Sequence, residues 1–238
     1  MKALLRPSIP ALLLTVLSFA LPLLFWKQMP EQVPIHFDIQ GQADREAPKA
    51  VGLFILPGLS LFLIVLMSFF AKLDPALMRD PDGPPSLGKF LGAIGILLLG
   101  IQAGLILTSV YPDRLLMNEM LFISMGLFMI VFGLSMRHMP MNPWIGFRYP
   151  WNYQNRAVWR RTHDLYYRWM IVFGVLSLVF AFVMPIPPVS LALLLLAIVV
   201  PAIISYRFSR QGPPSPRDGP HRRGRRRGGQ RPRAPKPS

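Results

Sequence analysis

The sequence predicts an all-α polytopic membrane protein with six transmembrane helices. Three observations carry that class. The chain of 238 residues is 52% hydrophobic and only 16% charged, too apolar and too weakly charged for an ordinary soluble domain. It contains six apolar runs, each about the length that crosses roughly 30 Å of hydrocarbon at about 1.5 Å per residue. Lysine and arginine alternate between abundant and scarce in the segments that join those runs.

The runs are Ser8–Trp26, Val51–Ala71, Phe90–Val110, Leu115–Met136, Trp169–Met184 and Val189–Tyr206. The fifth is short, and Leu165 to Tyr167 extend it. Pro22, Pro57 and Pro201 fall inside runs; such prolines are poor in soluble helices but tolerated in membranes, where neighbouring helices satisfy the freed backbone groups. No small-residue cleavage site precedes Lys27, so the first run is expected to stay as an uncleaved span.

Charge sets the expected orientation. With the N-terminus in the cytoplasm, 22 of the 26 lysines and arginines lie inside and 4 outside, and without the last 32 residues the split is still 11 to 4. Both termini are therefore expected inside. Cysteine is absent, which excludes disulfides, thiolate metal sites and a cysteine nucleophile. The net charge of +15 fits nucleic acid or an anionic membrane, and the apolar runs decide for the membrane.

The connections differ in character. In the outer loop 27–49, Ile35, Phe37 and Ile39 alternate with His36, Asp38 and Gln40, a period of two that predicts a short extended segment, with a turn at Gly41 and an ordered small lobe outside the membrane. Lys72–Lys89 is rich in Pro, Asp and Gly and reads as a turn-rich linker without chemistry. The third run offers Gly88-x3-Gly92 and Gly100-x3-Gly104, a spacing that permits close helix approach. "PIPP" at Pro185–Pro188 makes a tight hairpin that leaves the last two spans antiparallel neighbours. Arg207–Ser238 holds 11 of the 26 basic residues and no apolar periodicity; it is expected to be disordered and solvated, with weak contact to anionic lipid headgroups. No aromatic interleaves its arginines, so specific nucleic-acid binding is not expected.

The most unusual segment lies between the fourth and fifth spans. It holds six arginines from Arg137 to Arg168, and four tryptophans from Trp144 to Trp169. From Asn155 onward, helical spacing puts Val158, Trp159, Thr162, Leu165, Tyr166 and Trp169 on one side and Arg156, Arg160, Arg161, Asp164 and Arg168 on the other, with His163 at the border. That is an amphipathic helix with a basic face, and Asp164 has Arg160, Arg161 or Arg168 within helical reach. An interfacial anchor accounts for this part. It does not account for "MNPWIGFRYPWN". Asn142-Pro143 starts a turn, Gly146 permits tight backbone, and Pro150 forces Tyr149 extended, which holds Arg148 in place. This geometry predicts a shaped polar pocket formed by Arg148, Asn142, Asn155, Trp159 and His163.

"NPWIGFRYPWNYQNRAVWRRTH" resembles the signature of the SdpI family, bacterial membrane proteins named after an immunity factor against a secreted peptide toxin. The matching positions are Asn142, Ile145, Gly146, Arg148, Pro150, Trp151, Asn155, Val158, Trp159, Thr162 and His163. The first outer loop is similar to the domain of unknown function that often precedes this core, at Pro30, Pro34, His36, Gly41, Asp44 and Lys49. The resemblance implies an N-terminal two-helix domain over 1–88, a four-helix core over 89–206 with a cytoplasmic motif loop over 137–168, and a tail, 207–238, outside the family. It implies a multi-pass protein of the bacterial cytoplasmic membrane that gives immunity to, or senses, a secreted antimicrobial peptide or envelope stress. The implied partners are a peptide toxin outside and a cytoplasmic repressor inside. The residues expected to bind are Asn142, Gly146, Arg148, Pro150, Trp151, Asn155, Trp159 and His163 in the loop, and His36, Asp38, Gly41 and Asp44 outside.

Other classes fit less well. Histidines His36, His138 and His163 fall on opposite sides of the membrane in this topology, and no paired-histidine spacing occurs, so neither a metal, a cofactor nor enzymatic catalysis is expected. A small-molecule or peptide transporter is the alternative. Proton-coupled transport calls for ionisable groups at mid-membrane; the candidates are only the amide of Gln102 near the middle of a span, and Glu119, which sits near an outer end.

Overall fold

The computed structural model describes residues 2–38, 40, 42–111, 116–153 and 155–210. Gly41, Ile39 and residues 211–238, which make up most of the expected tail, lie outside the described residues. In chain order the elements are α1 (Lys2–Phe25), β1 (Gln32–Phe37), β2 (Ala43–Pro48), α2 (Lys49–Lys72), α3 (Pro75–Arg79), α4 (Gly83–Val110), α5 (Leu116–Met136), α6 (Arg156–Val183) and α7 (Pro187–Arg210). Every helix but α3 is long and apolar enough to cross a membrane.

Three boundaries differ from the sequence reading. The amphipathic segment and the fifth span are one continuous 28-residue helix, α6, about 42 Å long at 1.5 Å per residue. Helix α7 continues to Arg210, past the expected start of the tail. The linker Lys72–Lys89 is mostly helical. Asp74 accepts the N–H groups of Ala76 (2.9 Å) and Leu77 (3.0 Å), Pro75 occupies the first turn, and α3 results; aspartate before proline is an N-terminal helix signal. Helix α4 then starts at Gly83 and passes unbroken through the expected domain boundary at 88/89.

Helix α4 is central, packing on α1, α2 and α5, while α6 packs on α5 and α7 covers α6. Glycines make the close contacts. Gly88 faces the backbone of Pro7 on α1, Gly100 faces Ser124 and Gly104 faces Met117 and Met120 on α5, whereas Gly92 meets nothing within 4 Å. The second glycine pair thus serves the α4–α5 interface and the first serves α1 through one member only. Interior prolines are confined to α1 (Pro7, Pro10, Pro22), α2 (Pro57) and α7 (Pro201).

The outer surface of the bundle is apolar, as lipid requires: Leu24, Phe62, Val65, Val179 and Phe182 all point outward. Inside, several polar groups on α1, α2 and α4 pair across the helices. The Gln102 amide donates to the carbonyls of Ser18 (2.9 Å) and Leu53 (3.1 Å) and accepts the Ser18 hydroxyl. The hydroxyls of Thr15 and Ser60 lie 2.7 Å apart. Gln102 thereby ties α4 to α1 and α2, which removes it as a free polar group along a path.

Loop 27–49 is a two-stranded antiparallel hairpin with register irregularities between Pro34 and Phe37, not a single extended segment. The inward residue of β1 is Val33, fully buried, while Ile35 is 46% exposed. Val33 and Met29 pack on Leu53, Leu105 and Ile106, which seats the hairpin on the C-terminal half of α4.

Candidate functional site

The loop after α5 folds into a compact unit because its polar side chains satisfy its own backbone. Asn142 is buried. Its carbonyl oxygen accepts the N–H groups of Trp144 (2.9 Å) and Ile145 (2.7 Å), and its amide donates to the carbonyls of Pro140 (2.9 Å) and Ile145 (3.0 Å). Asn152, fully buried, does the same one turn later, accepting from Tyr149 N–H (2.9 Å) and donating to Phe147 O (2.7 Å). Between them Gly146 has a φ of +113°, and a side chain there would place its Cβ 2.6 Å from Nε2 of His163. Asn155 caps α6, accepting from Ala157 (2.9 Å) and Val158 (3.2 Å).

His163 joins loop to helix. Its Nδ1 lies 2.9 Å from the carbonyl of Trp159, and its Nε2 lies 3.2 Å from the N–H of Phe147. A carbonyl only accepts and a backbone N–H only donates, so the ring is the neutral tautomer with its proton on Nδ1. The Trp159 indole, also buried, stacks on His163 with centroids 4.0 Å apart and donates to Met139 O at 2.9 Å.

Aromatic rings then pin the loop to the bundle. Phe147 stacks on Tyr166, 3.4 Å between centroids and 8° from parallel. The hydroxyls of Tyr149 and Tyr166 are 2.6 Å apart, and Tyr166 donates to Ile198 O on α7 at 2.7 Å. Trp151 stacks on Tyr149 and donates to the Ser205 hydroxyl of α7 at 3.0 Å. On the other flank Trp144 stacks on Phe70 of α2, 4.6 Å between centroids.

Beside this unit lies a partly open cavity of about 630 Å³, bordered by α3 with its following turn, residues 137–141, and the first turns of α6. Trp159 and His163 line it; Asn142, Gly146, Arg148, Pro150, Trp151 and Asn155 do not. The sequence reading thus joined two things that the structure separates. Arg148 is exposed and donates to the carbonyl of Pro143, which fastens the loop's outer turn, and exposed Pro150 marks the next one. The charged lining comes instead from Arg79, Arg137, Arg156 and Arg160, together with Asp80 and Asp82. Of these, Arg79 and the two aspartates lie in the stretch whose Pro, Asp and Gly content predicts turns alone; Asp74-Pro75 is the signal that α3 follows. Asp164, also on the wall, is paired with Arg168 at 2.7 Å.

The hairpin carries the second expected set. His36 Nδ1 and Asp44 Oδ1 are 2.5 Å apart across the strands, both side chains being well exposed. Asp38 accepts the N–H groups of Gln40 (2.9 Å) and Gln42 (2.8 Å) and shapes the turn. The hairpin sits toward the C-terminal end of α4 and the cavity near its N-terminal end, so the two sets do not meet. Among the described residues no three His, Asp or Glu side chains come together in a group that could hold a metal ion.

Comparison with known proteins bears on both regions. Residues 138–205, the motif loop with α6 and most of α7, match the model of the SdpI/YfhL protein family. Residues 13–61, which take in the hairpin and its flanking helices, match that of a domain of unknown function, DUF1648. The Immunity protein SdpI of Bacillus subtilis (strain 168) is 24% identical over 208 residues, which span 85% of this chain and 96% of that protein. No solved structure matches the chain.

Proposed function

We propose, taking as premise that the chain is a multi-pass membrane protein of the SdpI family, that it protects a bacterial cell against a secreted antimicrobial peptide or reports envelope stress. The observation that carries this reading is the likeness to an immunity protein over 208 residues, which takes in hairpin and motif loop together. In this reading the basic end, with the motif loop and cavity, faces the cytoplasm, and the hairpin faces outward, in keeping with the 22 to 4 distribution of lysine and arginine. The exposed Ile35, His36 and Asp44 offer an incoming peptide one apolar and two polar contacts. The loop side would engage a cytoplasmic protein of the repressor type.

The mode is binding rather than catalysis. Asn142, Asn152 and His163 spend their polar atoms on the loop's own backbone, and a group so occupied is not poised to move a proton or attack a substrate. Transport receives no comparable support, since Gln102 is held by three partners on α1 and α2.

The test is heterologous expression in a bacterium killed by secreted membrane-active peptides. Survival should rise when the chain is in the membrane, and fall back with the pair His36→Ala and Asp44→Ala at equal protein level. Equal killing with and without the chain across a panel of such peptides overturns the immunity reading.

A further inference from the structure

We propose that the cavity between α3 and α6 binds a phosphate ester that carries hydroxyl groups. Four guanidinium groups from three separate elements line it: Arg79 of α3, Arg137 just past α5, and Arg156 and Arg160 of α6. Arg79, Arg156 and Arg160 make no ion pair or side-chain hydrogen bond among the described residues, and Arg137 rests on the Tyr167 ring. Of the three carboxylates on the wall, Asp80, Asp82 and Asp164, the last is engaged with Arg168. Like charges gathered around one space repel, and a bound oxyanion is what relieves them; guanidinium forks match phosphate oxygens two at a time.

The remaining charges narrow the ligand. Asp80 and Asp82 share the wall, and Asp80 accepts only the N–H of Asp82 at 2.9 Å, so both carboxylates keep oxygens free to accept hydroxyl donors. A bare phosphate uses the arginines and repels the aspartates, whereas the phosphate ester of a polyol uses both. The volume of about 630 Å³ falls in the range of about 300–1,000 Å³ that holds an organic body as well as its phosphate. The wall that Trp159 and His163 supply is already fixed by bonds to Met139 and Phe147, so the site is formed before a ligand arrives. The cavity lies against the basic N-terminal turns of α6, ahead of its apolar span. An anionic glycerophospholipid headgroup and a soluble phosphate ester share the required chemistry.

This proposal does not rest on the immunity reading, and its test has no cellular readout. The full chain is reconstituted in phosphatidylcholine nanodiscs and titrated with glycerol 3-phosphate by calorimetry. In parallel it is reconstituted with phosphatidylglycerol, extracted, and examined by native mass spectrometry for retained lipid. One saturable ligand per chain is expected in at least one arm. Retention of the lipid alone identifies the headgroup as the source, and binding in phosphatidylcholine identifies the soluble ester. Arg156→Gln with Arg160→Gln should weaken binding about a hundredfold, at about tenfold per guanidinium bond lost. Arg161→Gln, the same charge change one position along and outside the cavity lining, should change it by less than about twofold. Should the double variant not fold, Arg79→Gln on α3 carries the same expectation at about tenfold. No ligand in either arm, or equal losses from the Arg161 and cavity variants, overturns the proposal.

Discussion

The backbone N–H of Phe147 donates to Nε2 of His163, sixteen positions along the chain, at 3.2 Å. That bond, the adjoining Gly146 and the Phe147–Tyr166 stack fix how the motif loop enters α6. Replacing His163 with leucine keeps the volume roughly but leaves a half-buried N–H unpaired. A loss of about 1–3 kcal/mol in unfolding free energy is expected, measured by denaturant titration in detergent. A change below a few tenths would show that the loop does not depend on this bond.

Gly146→Ala should be more damaging than its size implies. The φ of +113° is unfavourable for any side chain, and the new methyl would meet the His163 ring. About 1–3 kcal/mol of strain is expected. Gly92→Ala is the control, since nothing lies within 4 Å of its added Cβ; thermal stability should fall for the first and hold for the second.

Gln102→Leu separates architecture from transport. If the amide only ties α4 to Ser18 and Leu53, its loss should cost about 0.6–1.7 kcal/mol and leave peptide protection intact at equal protein level. Abolished protection with unchanged stability would make Gln102 a working group.

Topology is directly measurable because the chain has no cysteine. Gln42→Cys in the hairpin and Tyr153→Cys in the motif loop both provide exposed positions. A membrane-impermeant maleimide added to intact cells should label the first and spare the second. Labelling of both, or of Tyr153→Cys alone, would reverse or remove the proposed orientation.

Much of the membrane architecture was legible because lipid imposes length and composition on every span. The buried face of α6 was also legible: Val158, Trp159, Thr162 and Tyr166 are all buried as their spacing required. The second hairpin strand was not, since "ADREAP" has no apolar alternation and pairs through backbone groups that no side-chain pattern reports. Nor was the ion partner of Asp164 legible, for three arginines lay within reach and only the fold selects Arg168. The cavity was hidden for a different reason. Arg79 and Arg160 are far apart in sequence, and local reasoning could see Arg148 as constrained without seeing that it faces away.

Proline placement divides the bundle mechanically. Helices α4, α5 and α6 form its middle and lack interior prolines, whereas α1, α2 and α7 at its flanks each carry at least one. A helix with an intact hydrogen-bond ladder moves as a rod, and one with a proline bends there. Helix α4 has the hairpin seated near one end and the turn that walls the arginine cavity at the other. Over its 28 residues it is a strut of about 42 Å. Helix α4 therefore joins hairpin and turn through one uninterrupted hydrogen-bond ladder, whereas α1 and α2 beside it each have theirs broken at a proline.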